Sequence, residues 1–191
     1  SNITTKKSVQ LIKAAKKNGI QITADVNSYH LLLDETELLH FDNHYKVNPP
    51  LRTKEDIKEL IAGLKDGTID VITTDHSPQD EEHKKIEFDN AEDGIIGLES
   101  AFGLLGKYLS PHLELSQLIE KIAINPRKIL GVDQATLAEG NLANITLFNP
   151  DLEWEFTTKD IKSKSLNTPF IGEQLKGKAL AIFNNGKFKE C

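Results

Sequence analysis

The stretch Ile69-Asp70-Val71-Ile72-Thr73-Thr74-Asp75-His76-Ser77-Pro78 constrains this chain more than any other. Ile69 to Thr73 is a short, largely β-branched run, and Gly67-Thr68 ahead of it marks the end of a helix. A run of this kind is what a strand buried in a parallel sheet requires. It ends on a carboxylate and an imidazole, Asp75 and His76, before Pro78 forces an irregular turn. Buried parallel strands carry chemistry at their C-terminal tips, which makes Asp75 the leading candidate for a functional side chain. His76 is placed to orient it. The competing role for Asp75, capping the next segment, is common for Asp in loops.

The segments around this strand have a βαβ rhythm. Thr4 or Thr5 can cap a helix that carries Val9, Ile12 and Ala15 at helical spacing and stops at Asn18-Gly19. Ile20 to Val26 alternates as a strand and ends near Asn27-Ser28-Tyr29-His30, with a short amphipathic turn around Glu35 to Leu39. Pro49-Pro50 make Tyr45 to Arg52 a rigid, extended loop. Thr53 and Asp56 stand at capping-box spacing, Ile57, Leu60, Ile61 and Leu64 form one apolar face, and Gly67 closes that helix. Strand, helix, strand in this order predicts parallel pairing through right-handed crossovers.

His76 to Glu92 is a long polar loop of the kind that is usually functional or mobile. Gly94 to Gly97 opens a helix over about 98–109. A second is expected over 115–123 and a third over 126–130, with Pro126 in its first turn. From residue 137 the pattern becomes alternating strands, with Asn184-Asn185-Gly186 as a hairpin turn. Residues 1–136 thus read as an α/β domain and 137–191 as part of a small β module. Two or three strands alone are marginal, so the module needs strands from elsewhere.

Bulk properties narrow the function. The formal net charge of -6 argues against non-specific binding to nucleic acid or an anionic membrane. No apolar run approaches the roughly 18 residues of a membrane span, and no signal peptide is visible. The single cysteine, Cys191, gives neither a disulfide framework nor a cysteine metal cluster, which points to a reducing cytoplasm. Ser1-Asn2-Ile3 leads so quickly into a helix that the start resembles the interior of a longer protein.

Four segments stand in one order: Tyr45 to Arg52, Asp66 to Pro78, Gly94-Ile95-Ile96-Gly97-Leu98-Glu99, and Asn167-Thr168-Pro169-Phe170-Ile171-Gly172. Together they resemble the C-terminal half of a bacterial dihydroorotase of the amidohydrolase superfamily. That resemblance implies half of a (β/α)8 TIM barrel with part of an appended β-sandwich. It implies interconversion of carbamoyl-aspartate and dihydroorotate in pyrimidine synthesis, a zinc centre, and a homo-oligomer. It places Asp75 as metal ligand and proton shuttle, and Asn48 and Gly94 as substrate contacts. The structural alternatives are that Asn48 holds the Pro-Pro loop and Gly94 serves a turn.

The family pattern breaks at three places. Asn2 stands where a metal-binding His is expected, Gln79 where the loop His meets substrate, and Glu92-Asp93 where Pro-Phe precedes Gly94. A neutral amide oxygen is a weaker zinc ligand than imidazole. The loop is dense in acids (Asp80, Glu81, Glu82, Glu87, Asp89, Glu92, Asp93), which repel an anionic substrate. The family's remaining ligands belong to an N-terminal half. His40, His44, His83 and His112 show no ligand-like spacing, and His30 matches a family His that does not bind metal. These departures imply a catalytically silent relative without a complete metal site. Some such relatives serve as scaffolds for aspartate transcarbamoylase. The alternative is an active zinc cyclic amidohydrolase acting on dihydroorotate, a hydantoin or allantoin.

Overall fold

A computed structural model describes all 191 residues. The expected parallel pair is present. β1 (Asp25–Asn27) lies beside β2 (Val71–Thr73) with Asn27 opposite Thr73. Ile3 donates its N–H to the Asp25 carbonyl on the other side of β1 at 3.0 Å. Beyond β2, His76 forms a parallel bridge with Ile95. These four stretches form an open arc of barrel wall.

Helices pack on the outside of this arc. α1 (Lys6–Lys17) is capped by the Thr5 side chain, and α2 (Lys54–Lys65) by the anticipated Thr53–Asp56 capping box, formed in both directions. Leu60 and Leu64 of α2 join Val9, Val26, Ile69 and Ile72 in one buried cluster. α3 (Glu81–Lys84) is a single turn inside the polar loop, and α4 is Ala101–Leu109. The two further helices expected over 115–130 are one continuous rod: α5 (Leu115–Ile119), a wider π turn (Glu120–Ile124) and α6 (Asn125–Leu130). The π turn and the first residue of α6 aim polar groups at the base of β2. Lys121 Nζ donates to the Ile69 carbonyl at 2.8 Å, and Asn125 Nδ2 to that of Asp70 at 2.9 Å.

The expected strand over 20–26 is regular only from Asp25. Ile20 and Ile22 are exposed and have no ladder partner, so alternation alone did not make them strand. The β module holds three antiparallel strands, β3 (Ile145–Glu155), β4 (Gln174–Asn184) and β5 (Lys187–Glu190), with β4 in the centre. Pro150 sits in edge strand β3 within a register shift between Asn149 and Glu153, where a missing N–H is tolerated. β4 crosses α4 so closely that a Cβ on Gly106 would lie 2.0 Å from the Lys176 carbonyl oxygen. Between β3 and β4 the chain returns to the barrel wall. Phe156 and Phe170 share a second buried cluster with Tyr29, Val47, Ile95 and Leu104.

Candidate functional site

The parallel register of β1 and β2 brings both strand ends to one rim. Asp75 follows β2 with φ +46, a left-handed backbone that Asp tolerates better than most residues. Such conformations persist where surrounding structure fixes them. Here the fixing comes from the end of β1. Asn27 Nδ2 donates to Asp75 Oδ2 at 2.8 Å, and the Tyr29 hydroxyl donates to the same oxygen. Asn27 Nδ2 also donates to the Tyr29 oxygen at 3.1 Å. Thr73 Oγ1 donates to Asn27 Oδ1 at 2.7 Å, and the Asp75 carboxylate, which can only accept, fixes the amide with its NH2 toward Oδ2. Asn27 and Tyr29 are 0% and 2% exposed. Burial, and then the Asp75 carboxylate, push the Tyr29 phenol far above its ordinary value, so it keeps its proton and remains a donor.

The other expected site residues occupy separate places. His76 does not orient Asp75. Its Nδ1 accepts from the Gly97 and Leu98 N–H groups at 3.2 and 3.3 Å, so it ties the 97–98 turn to the end of β2. Asn2, also left-handed at φ +54, donates its backbone N–H to Asp25 Oδ1. His30 is buried. Its Nε2–H faces the Pro49 carbonyl at 2.9 Å, Nδ1 has no partner, and burial lowers its pKa. Asn48 lines a cavity of about 280 Å³ with Lys46, Tyr45, Phe88 and Asp93; Asp75 is not among its walls.

Gly94 adopts φ +135, and a Cβ there would lie 2.7 Å from Ser77 Cβ. Its N–H donates to the Lys46 carbonyl at 2.9 Å. Its carbonyl accepts from Asn167 Nδ2 at 3.0 Å and Lys84 Nζ at 3.1 Å. Gln79, in the place of the expected loop His, donates Nε2 to the Asp93 carbonyl at 3.0 Å. The long polar loop is therefore pinned from beneath. Lys84, 5% exposed, also reaches the Glu92 carbonyl at 2.9 Å, and burial lowers its pKa. Lys46 Nζ takes the carbonyls of Phe88, Asp89 and Ala91 at 2.7, 3.0 and 2.7 Å. Asn167 donates to the Ser77 carbonyl at 2.9 Å and accepts from the Gln79 N–H at 3.1 Å.

Sequence reasoning missed Asn27, Tyr29 and Asn167 as members of the rim. One signal was available for the first two. A strand ending at Asn27 and parallel to the one that leads to Asp75 brings its C-terminal end to the same rim, and Tyr29 lies in the 3-10 turn (Ser28–Leu31) that follows directly. Asn167 is reached only through a long-range return of the chain, for which local pattern has no signal.

A half barrel with a carboxylate at the C-terminal tip of a parallel strand defines the class. The profile described as the Amidohydrolase family matches residues 2–188, and the chain belongs to this family. It is 42% identical to the dihydroorotase of Caldicellulosiruptor saccharolyticus over 189 residues, which is 98% of this chain and 44% of that protein. Among solved structures, a D-hydantoinase (dihydropyrimidinase) from Thermus sp. superposes with a TM-score of 0.88 at 26% identity, over 98% of this chain and 43% of that one. The inactive dihydroorotase-like domain of a Chaetomium thermophilum CAD-like multifunctional protein superposes with a TM-score of 0.71 at 23% identity, over 97% and 49%. The chain spans about 44% of the length of the curated relatives it matches. No helix is long and apolar enough to cross a membrane.

The zinc implied by the family was tested against this chain's own side chains. No three of its His, Cys, Asp and Glu residues converge as a metal-holding group. Asp75 Oδ2 faces an amide and a protonated phenol, both donors, where a cation needs lone pairs. Taken alone, the residues present do not fit a zinc site.

Proposed function

We propose that this chain is the C-terminal half of a dihydroorotase-like barrel (residues 1–136) with part of its β-sandwich (137–191), and that it does not turn over carbamoyl-aspartate or dihydroorotate. The observation that carries this reading is the setting of Asp75. The carboxylate that would hold the metal and shuttle the proton is hydrogen-bonded through Oδ2 by Tyr29 and Asn27. Identity to dihydroorotases over the whole chain supports the substrate class, a cyclic amide and its open carbamoyl acid. A scaffolding role in a homo-oligomer with aspartate transcarbamoylase follows as the interaction to look for by co-purification.

The test is zinc analysis together with a carbamoyl-aspartate cyclisation assay on the purified full-length protein. Zinc well below one equivalent and no turnover are expected. Stoichiometric zinc with turnover at ordinary enzyme rates refutes the reading. One observation favours an active zinc cyclic amidohydrolase instead: Asp75 Oδ1 takes no hydrogen bond from the chain. On that reading Asp75→Asn abolishes a measurable hydrolysis of dihydroorotate, a hydantoin or allantoin.

A further inference from the structure

The Asp75 cluster satisfies one oxygen of its carboxylate, Oδ2, without a cation. Asp75 is half-buried, and a carboxylate withdrawn from water in this way is stabilised by positive charge or donors around it. In metal sites the ion answers that need. Here two neutral donors, Asn27 and Tyr29, answer it at Oδ2. Behind them Thr73 Oγ1 donates to Asn27 Oδ1 at 2.7 Å, on the far side of the amide from Asp75. That NH2 faces both Asp75 Oδ2, at 2.8 Å, and the Tyr29 oxygen, at 3.1 Å, two acceptors on the same side of the nitrogen. The Tyr29 oxygen, having accepted, sends its own hydrogen to Asp75 Oδ2.

We propose that Tyr29 is a positioning residue that stands in for a cation at Asp75: its hydroxyl holds the carboxylate and keeps divalent metal from Oδ2. This rests on the functional reading above and deepens it. The geometry supports it beyond a packing role. A Tyr that served only the core would send its hydroxyl to solvent or to a main-chain carbonyl. Tyr29 instead has its ring in the cluster with Val47, Ile95 and Phe156 and its oxygen on the one rim carboxylate. Removing that oxygen leaves Asp75 Oδ2 with the Asn27 amide alone, so that a cation can reach Oδ2 as well as the unbonded Oδ1.

The experiment compares zinc binding, by calorimetry and metal analysis, in wild type, Tyr29→Phe and Tyr29→Phe/Asp75→Asn, each as the full chain. Zinc affinity is expected to rise by about tenfold in Tyr29→Phe, the opposite sign to the roughly tenfold or larger loss that follows when a partner supporting a metal ligand is removed. It should fall back in the double variant. Equal zinc affinity in wild type and Tyr29→Phe overturns the proposal, as does a gain that survives Asp75→Asn. Should Tyr29→Phe fail to fold, the Cζ NMR resonance of Tyr29 in wild type decides. It should stay fixed through a zinc titration and move in Asp75→Asn, and a zinc-dependent shift overturns the proposal. Zinc content and turnover of wild type report separately on the functional reading, so either failure can be told from the other.

Discussion

Replacing Asn167 by Ala tests whether the rim loop is held from beneath. Asn167 is 4% exposed and uses its whole amide, accepting from the Gln79 N–H and donating to the Ser77 and Gly94 carbonyls. The Gly94 carbonyl keeps Lys84 in the variant, and the Asn167 backbone carbonyl still accepts from the Ile96 N–H. Two groups, the Gln79 N–H and the Ser77 carbonyl, lose their side-chain partner. An orphaned buried group costs about 1–3 kcal/mol, so the variant should lose about 3 kcal/mol once water has partly entered. For a chain of this size that is a fall in Tm of roughly 6–12 °C, read by circular dichroism. Hydrogen exchange should show amides between Ser77 and Gly94 losing protection first. Asn167→Asp sets carboxylate oxygen against two carbonyls and should be at least as unstable as Asn167→Ala. A Tm within about 2 °C of wild type for Asn167→Ala would refute the reasoning.

Gly106→Ala places a methyl 2.0 Å from the Lys176 carbonyl oxygen, so α4 and β4 must separate. A loss of about 3 kcal/mol in urea unfolding is expected, near the upper end for overpacking. His30 gives a pH dependence of known sign. Burial lowers its folded pKa below the ordinary histidine value of about 6.5, so the unfolded chain binds the proton more readily. Its contribution is therefore complete above about pH 6.5 and is lost as pH falls from there toward the folded pKa. Urea midpoints between pH 5 and 8 should fall on the acid side more steeply for wild type than for His30→Gln.

The barrel half was legible in the sequence where the signal is local. The Thr53–Asp56 capping box, the apolar face of α2, the buried strand before Asp75 and the Asn185-Gly186 hairpin each depend on neighbours within a few residues. Ile20 and Ile22 show the limit: they alternate as a strand does, yet regular pairing starts only at Asp25. His76 was expected to orient Asp75, but Asp75 turns left-handed beyond the end of β2, and the His76 ring faces the Gly97 and Leu98 N–H groups instead. The partners of Asp75 come from a strand 46 and 48 residues earlier. Their roles depend on register, which the sequence carries only as a pairing of Asn27 with Thr73 that must be assumed before it can be used.

The two lysines beneath the rim loop separate its shape from its charge. Lys46 and Lys84 grip main-chain carbonyls rather than any of the loop's acids. Short contacts of this kind are little affected by ionic strength, whereas repulsion among surface carboxylates is screened over about 10 Å at 0.1 M salt. The loop should keep its path as salt is varied. Its acids are thereby free to change over evolutionary time without unmaking the cover they decorate.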